Sequence, residues 1–140
     1  MMRNITTAAL AAGVVALAGC TAIAPQGNPT WVVLSGADQV PRVATAAYGN
    51  GRFLVEANGS DSGSVAITGV QATAAHIHLG AAGENGPVII TLSKSGDGFS
   101  APMGAMLTSE QMVAFLHGKL YVNVHSDANK GGEIRGQMRW

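Results

Sequence analysis

The chain has 140 residues, of which eight are lysine or arginine and eight are aspartate or glutamate, so its formal net charge is zero. It contains no basic run or patch, which excludes an electrostatic basis for nucleic-acid binding. A single cysteine excludes an intrachain disulfide and a thiolate metal cluster.

The first 30 residues are predicted to be an export signal followed by a tether. Arg3 precedes an apolar run over 8–17 that is too short to span a membrane, as in a signal peptide. The run closes with Leu-Ala-Gly-Cys, which resembles the bacterial lipobox, where the cysteine is acylated and becomes the first residue of the mature protein. We therefore expect removal of residues 1–19, a lipid on Cys20 and a flexible tether over 20–30. An ordinary signal peptide, with Cys20 incidental, is the alternative.

The remaining residues, 31–140, are long enough for one domain with a single core. The 19 glycines and the short β-branched runs between turn signals indicate an all-β domain. Seven strands are predicted from these runs, over 31–35, 51–57, 64–70, 75–79, 88–92, 120–126 and 133–139.

One helix is predicted between the fifth and sixth of these strands, over 109–117. Thr108 and Gln111 have the spacing of a capping box, and Gly118 is placed to end the helix. His117 falls in the last turn, where the helix dipole favours positive charge, and we interpret it as structural rather than as a ligand. Strands with one short helix predict a Greek-key β-sandwich or flattened barrel.

Three of the four histidines lie on the polar faces of two predicted strands. His76 and His78 oppose the apolar residues of strand 75–79, and His125 opposes those of strand 120–126. Strand residues i and i+2 are about 6.5–7 Å apart, so two imidazoles can close on one ion with bonds of about 2 Å. Imidazole suits copper and zinc, and copper has the higher affinity. The alternative is that these histidines only bond backbone carbonyls and fasten loops.

The last predicted strand places Glu133 and Arg135 together on one face. One interpretation puts Arg135 beside a metal as a guide for anions. The other is structural: a neighbouring pair on a solvated face, worth well under about 1 kcal/mol, or an arginine that fastens the loop 127–132. We favour the structural interpretation.

Several segments in order resemble one known family. These are LSGADQVP at 34–41, AHIHLG at 75–80 with GPV at 86–88, LYVNVH at 120–125 and GEIRGQ at 132–137. Together they resemble the CHRD domain, a module found as a repeat in chordin and singly in many bacterial envelope proteins. The resemblance runs from about residue 31 to the end of the chain. It implies little about activity.

A weaker resemblance is to the copper–zinc superoxide dismutases. They also place a His-x-His strand midway through a Greek-key barrel, a further copper-binding histidine late in the chain, and an arginine near the last strand. By this resemblance His76, His78 and His125 take the places of copper ligands and Arg135 that of the arginine. The chain lacks the bridging histidine, the zinc-ligand cluster and the cysteine pair, so a binuclear site is not expected. A three-histidine mononuclear site remains.

The sequence thus predicts a lipid-anchored protein of the bacterial cell envelope that binds one copper or zinc ion, for metal handling or oxidative protection. We expect binding rather than catalysis, and a membrane association that depends on the lipid alone. The alternative function is a metal-free module that binds another envelope protein.

Overall fold

The computed structural model describes residues 27–139. Nine strands, one 3₁₀ turn at Gly36–Asp38 and one α-helix make up this part of the chain. Their bounds are β1 Gly27–Ser35, β2 Tyr48–Glu56, β3 Asp61–Thr68, β4 Ala72–Leu79, β5 Val88–Thr91, β6 Ser93–Ser95, β7 Gly98–Ser100, α1 Ser109–Leu116, β8 Leu120–Ser126 and β9 Ile134–Gln137. The prediction of an all-β domain with one short helix is confirmed.

All nine strands form one antiparallel sheet in the order β5-β4-β8-β9-β1-β2-β3-β7-β6. The two edge strands, β5 and β6, are separated in the chain by Leu92 alone. The sheet must therefore curl until its edges adjoin, which makes it a nearly closed barrel. Leu92 itself is buried and donates its amide to the carbonyl of Ala75 at 2.9 Å.

The core follows from the period-two alternation of the strands. In β1, Val32 and Leu34 are buried whereas Trp31 and Val33 are exposed. The same alternation holds along β2 and β3, so one face of each strand loses its apolar surface to the barrel interior. The largest apolar side chains of the core are all fully buried: Phe53, Phe115, Leu34, Ile77, Leu120, Ile134 and Met138.

The helix forms as its capping signals predict. The Thr108 side chain accepts from the amide of Gln111, and the Gln111 side chain accepts from the amide of Thr108. Both halves of the capping box are thus present. Phe115 on the inner face is fully buried and fixes the helix to the barrel.

The first four strands begin three or four residues before their predicted starts, and two short strands, β6 and β7, were not predicted. β1 begins at Gly27, four residues before the predicted start, because Pro29 and Gly27 still pair with β2. β6 and β7 have three residues each, too few for a periodic pattern to show. The predicted signal and Cys20 lie outside the described residues. Within 27–139, no helix is long and apolar enough to cross a membrane.

Candidate metal centre

The three predicted histidines lie on two neighbouring strands and on the same face of the sheet. His76 and His78 belong to β4 and His125 to β8, which pairs with β4. Ala75 and Ile77, between and beside the first two histidines, are fully buried in the core. The histidine side chains therefore point to the opposite face, as the alternation predicts.

The imidazole rings converge. Nδ1 of His76 lies 3.0 Å from Nε2 of His125, and one nitrogen from each of the three rings lies within 4.8 Å of the others. Two nitrogens that share an ion at about 2.1 Å can be at most about 4.2 Å apart. The longest separation must therefore shorten by about 0.6 Å or more for all three to bind one ion, a movement within reach of side-chain rotation.

Two backbone carbonyls fix the orientation of two rings. His78 Nδ1 lies 2.9 Å from the carbonyl oxygen of Gly86, and His125 Nδ1 lies 2.8 Å from that of Lys130. A carbonyl only accepts, so each Nδ1 carries the proton and each neutral ring has its lone pair on Nε2. Metal-ligating histidines are commonly oriented by such a bond from the second nitrogen. Both the ligand and the loop-fastening interpretations of these histidines thus have structural support.

One of the two Nε2 atoms lacks a partner. His78 is 8% exposed, and its Nε2 is buried without a hydrogen bond to any described residue. A buried acceptor without a donor costs about 1–3 kcal/mol. A metal ion bound at this lone pair would remove that cost.

His76 is hydrogen-bonded to His125, and a metal ion bound between these two rings would replace that hydrogen bond. Because Nε2 of His125 is an acceptor, Nδ1 of His76 must donate the proton across their 3.0 Å contact. Binding a metal through that nitrogen requires the proton to move to Nε2 of the same ring. The metal-free centre is thus held by a histidine–histidine hydrogen bond.

Burial lowers the pKa of His76 and of His78, and the neighbouring histidines lower them further. The Gly86 carbonyl opposes this for His78, since it favours the protonated ring. Below-normal pKa values keep both rings neutral at neutral pH. The neutral ring is the form that binds a metal.

The sequence did not single out Tyr121 and Gly86, which support His78. The Tyr121 ring is stacked on that of His78, with centroids 4.8 Å apart and planes at 10°. Gly86 donates its amide to the Tyr121 hydroxyl at 3.1 Å while its carbonyl accepts from His78. A Cβ at Gly86 would collide with the carbonyl oxygen of Leu79, so glycine is required at this close approach. Tyr121 lies on the histidine face by the alternation of strand 120–126, and Gly86 was noted only within the GPV segment at 86–88.

Arg135 fastens a different loop from the predicted one. It is 1% exposed and donates to the carbonyl of Ala81 at 2.8 Å and to Asn85 Oδ1 at 3.4 Å. Its guanidinium carbon lies 3.4 Å from the centroid of the Tyr121 ring. Arg135 therefore holds the loop 80–87 over the polar face of β8 and β9, and the prediction that it fastens the loop 127–132 is wrong.

Glu133 holds the loop 127–132 instead. It is buried and accepts from Ser126 Oγ at 2.7 Å and from the side-chain amide of Asn129. Hydrogen bonds from Thr45, Asn129 and Ser126 lower the pKa of its carboxyl group. In the part of the chain that the structure describes, no ion pair joins Glu133 to Arg135. The alternative of an exposed neighbouring pair is wrong, because both side chains are covered by loops.

The loop 127–132 has a second anchor beneath it. Asn123 accepts from the Gln39 side chain at 2.6 Å and donates to the carbonyl of Gly131 at 3.2 Å. This anchor holds the Lys130 carbonyl, the neighbour of Gly131, against His125. Both loops that orient the histidines are thus tied to buried polar side chains of the central strands.

His117 lies apart from this group, at the end of α1. Its Nδ1 is 2.7 Å from the carbonyl oxygen of Val113, so it satisfies the helix end. This hydrogen bond supports the structural interpretation of His117.

Comparison with known proteins identifies a family. The family model of the CHRD domain matches residues 31–138. No curated protein and no solved structure matches the chain.

Proposed function

The chain belongs to the CHRD domain family, and we propose that it is a lipid-anchored protein of the bacterial cell envelope that binds one metal ion through His76, His78 and His125. The metal is copper before zinc, and the role is metal handling or oxidative protection. The single observation that carries the metal site is the convergence of three imidazole nitrogens within 4.8 Å on one sheet face.

The donor set favours copper. All three donors are imidazole nitrogens, and among divalent first-row ions such sites bind copper most tightly. Two of the rings are oriented by carbonyls, and the third can follow by rotation and loss of its bond to His125. An open fourth position would remain for water or an exchanging ligand.

The proposed role is binding rather than catalysis. Arg135, the candidate anion guide, is buried and donates hydrogen bonds to Ala81 and Asn85 of a covering loop. His117 is occupied at the helix end, so the histidine cluster has three members and no bridging partner within residues 27–139.

Titration with Cu(II) and Zn(II) tests the site. We expect one ion per chain, with copper bound more tightly, and affinity at least about tenfold lower in His76→Ala and in His78→Ala. The matched control is His117→Ala, which removes an exposed histidine outside the cluster and should leave the affinity unchanged. Isothermal calorimetry with elemental analysis of the loaded protein measures both. Equal weakening in all three variants, or no binding, would favour the metal-free interaction module.

Export and anchoring have a separate test. We expect the mature N-terminus to be an acylated Cys20, because Leu-Ala-Gly-Cys at 17–20 supplies the small residues and the thiol in order. Mass spectrometry of the membrane-extracted protein checks this. An unmodified Cys20 thiol would contradict it.

A further inference from the structure

The segment 101–118, here called the cap, exposes large apolar side chains. Met103 is fully exposed, and Met106, Val113 and Leu116 are about half exposed. Glu110 is the only formally charged residue in the cap. A concentration of exposed apolar side chains in one segment is characteristic of a contact with a partner or a membrane.

A turn holds Met103 outward. Ala105 donates its amide to the carbonyl of Pro102 at 3.1 Å, and Gly104 has φ of 80°. This is the pattern of a type II turn, with glycine at the position that needs positive φ. Met103 occupies the tip of that turn and is held there by the backbone rather than by packing.

The cap lies at the end of the barrel where the domain begins. Ala105 accepts from the amide of Asp61, and Leu107 donates to the carbonyl of Gly59, so the cap is bonded to the turn between β2 and β3. Gly27, the first residue of β1, pairs with Glu56, the last residue of β2 before that turn. The start of the domain and the cap therefore share one end.

The chain length between Cys20 and Gly27 limits how far this end can lie from an anchored lipid. Seven residue steps span at most about 25 Å when fully extended. A lipid on Cys20 would thus hold the cap close to the bilayer surface, at a high effective concentration. Because the cap has no lysine or arginine, its contact with lipid would be apolar and would not require anionic headgroups.

We propose that the cap docks on the membrane surface and inserts Met103 and Met106 at the boundary between headgroups and acyl chains. The proposal rests on the acylation of Cys20 proposed above.

The test uses the chain from Cys20 onward, made without acylation and coupled through its single thiol to maleimide lipid in phosphatidylcholine vesicles. Tryptophan is introduced by Met103→Trp in the cap, or by Asp127→Trp as the matched control on an exposed loop beside the histidines. Nitroxide groups on the acyl chains quench tryptophan that enters the bilayer. After subtraction of the parent signal, we expect at least about twofold stronger quenching of the cap reporter, and loss of the excess when Met106→Asp is added.

Equal quenching of both reporters would overturn the docking proposal. So would shielding of the cap reporter in the absence of vesicles, since that would indicate association of two chains or another protein contact. Chemical coupling makes the result independent of acylation in the cell. A free Cys20 in native protein would therefore refute the anchor, whereas absence of quenching on vesicles would refute the docking alone.

Discussion

Replacing Asp61 with asparagine should remove the fall in folding stability that burial of this carboxyl group causes between pH 3.8 and about 7. Asp61 is 4% exposed at the start of β3, on the same face as Val65 and Ile67, which belong to the core. Within residues 27–139, neither carboxyl oxygen finds a hydrogen bond of ordinary geometry. A carboxylate in such surroundings is costly because it has lost its hydration without gaining partners.

The direction of the effect follows from the pKa of Asp61. Burial raises this pKa from 3.8 to about 7, with a small opposing effect of the Ser62 amide. The folded chain therefore holds a proton that the unfolded chain has released between these two values. Stability from this group is greatest below pH 3.8, falls as the pH rises, and stops falling above about 7.

Urea unfolding at pH 5 and pH 8 measures this effect. Between pH 5 and pH 7, Asp61 should cost the parent about 1.4 kcal/mol of unfolding free energy per pH unit. The unfolding free energy of Asp61→Asn should therefore rise by about 3 kcal/mol relative to that of the parent between pH 5 and pH 8. Asp97→Asn is the matched control, since Asp97 is exposed. If the difference in unfolding free energy between Asp61→Asn and the parent were the same at both pH values, folding would not raise the pKa of Asp61.

Much of the fold is predictable from local sequence because its signals are local. Alternation along a strand and a capping box act within a few residues, and both the core faces and α1 follow from them. β6 and β7 were not predictable, because such short strands exist only through pairing, β7 with β3 and β6 with β7. Pairing is decided by the whole sheet.

The sequence predicted which histidines form the cluster, but not which loops surround them. Alternation placed His76, His78 and His125 on one face, and pairing of β4 with β8 brought them together. The sequence could not show that this face is covered by two loops, since covering depends on where distant turns fold back. For that reason Arg135 was assigned to the nearer loop, 127–132, rather than to the loop 80–87, some fifty residues away in the chain.

Arg135 lies beneath one of these two loops. Its charge is buried, yet its acceptors are the neutral Ala81 carbonyl and the Asn85 side chain, with the face of Tyr121 below it. β8 lies between β4 and β9, so Tyr121 separates the arginine from His78. Arg135 therefore acts on the metal centre by holding the loop and the tyrosine that orient His78, and its charge also lowers the pKa of His78.

Arg135→Ala should destabilise the domain by about 3 kcal/mol, from the loss of charge-assisted hydrogen bonds and a desolvated cation–π contact. It should also weaken metal binding about tenfold or more, since the loop 80–87 carries the Gly86 carbonyl that orients His78. Arg52→Ala is the matched control: Arg52 lies over the exposed ring of Trp31 at 5.5 Å, outside the centre, and its loss should cost under about 1 kcal/mol. Urea unfolding and metal titration of both variants give the two readouts. If Arg135→Ala were destabilised while its metal affinity stayed at the parent value, the loop would be shown to support the fold without positioning His78.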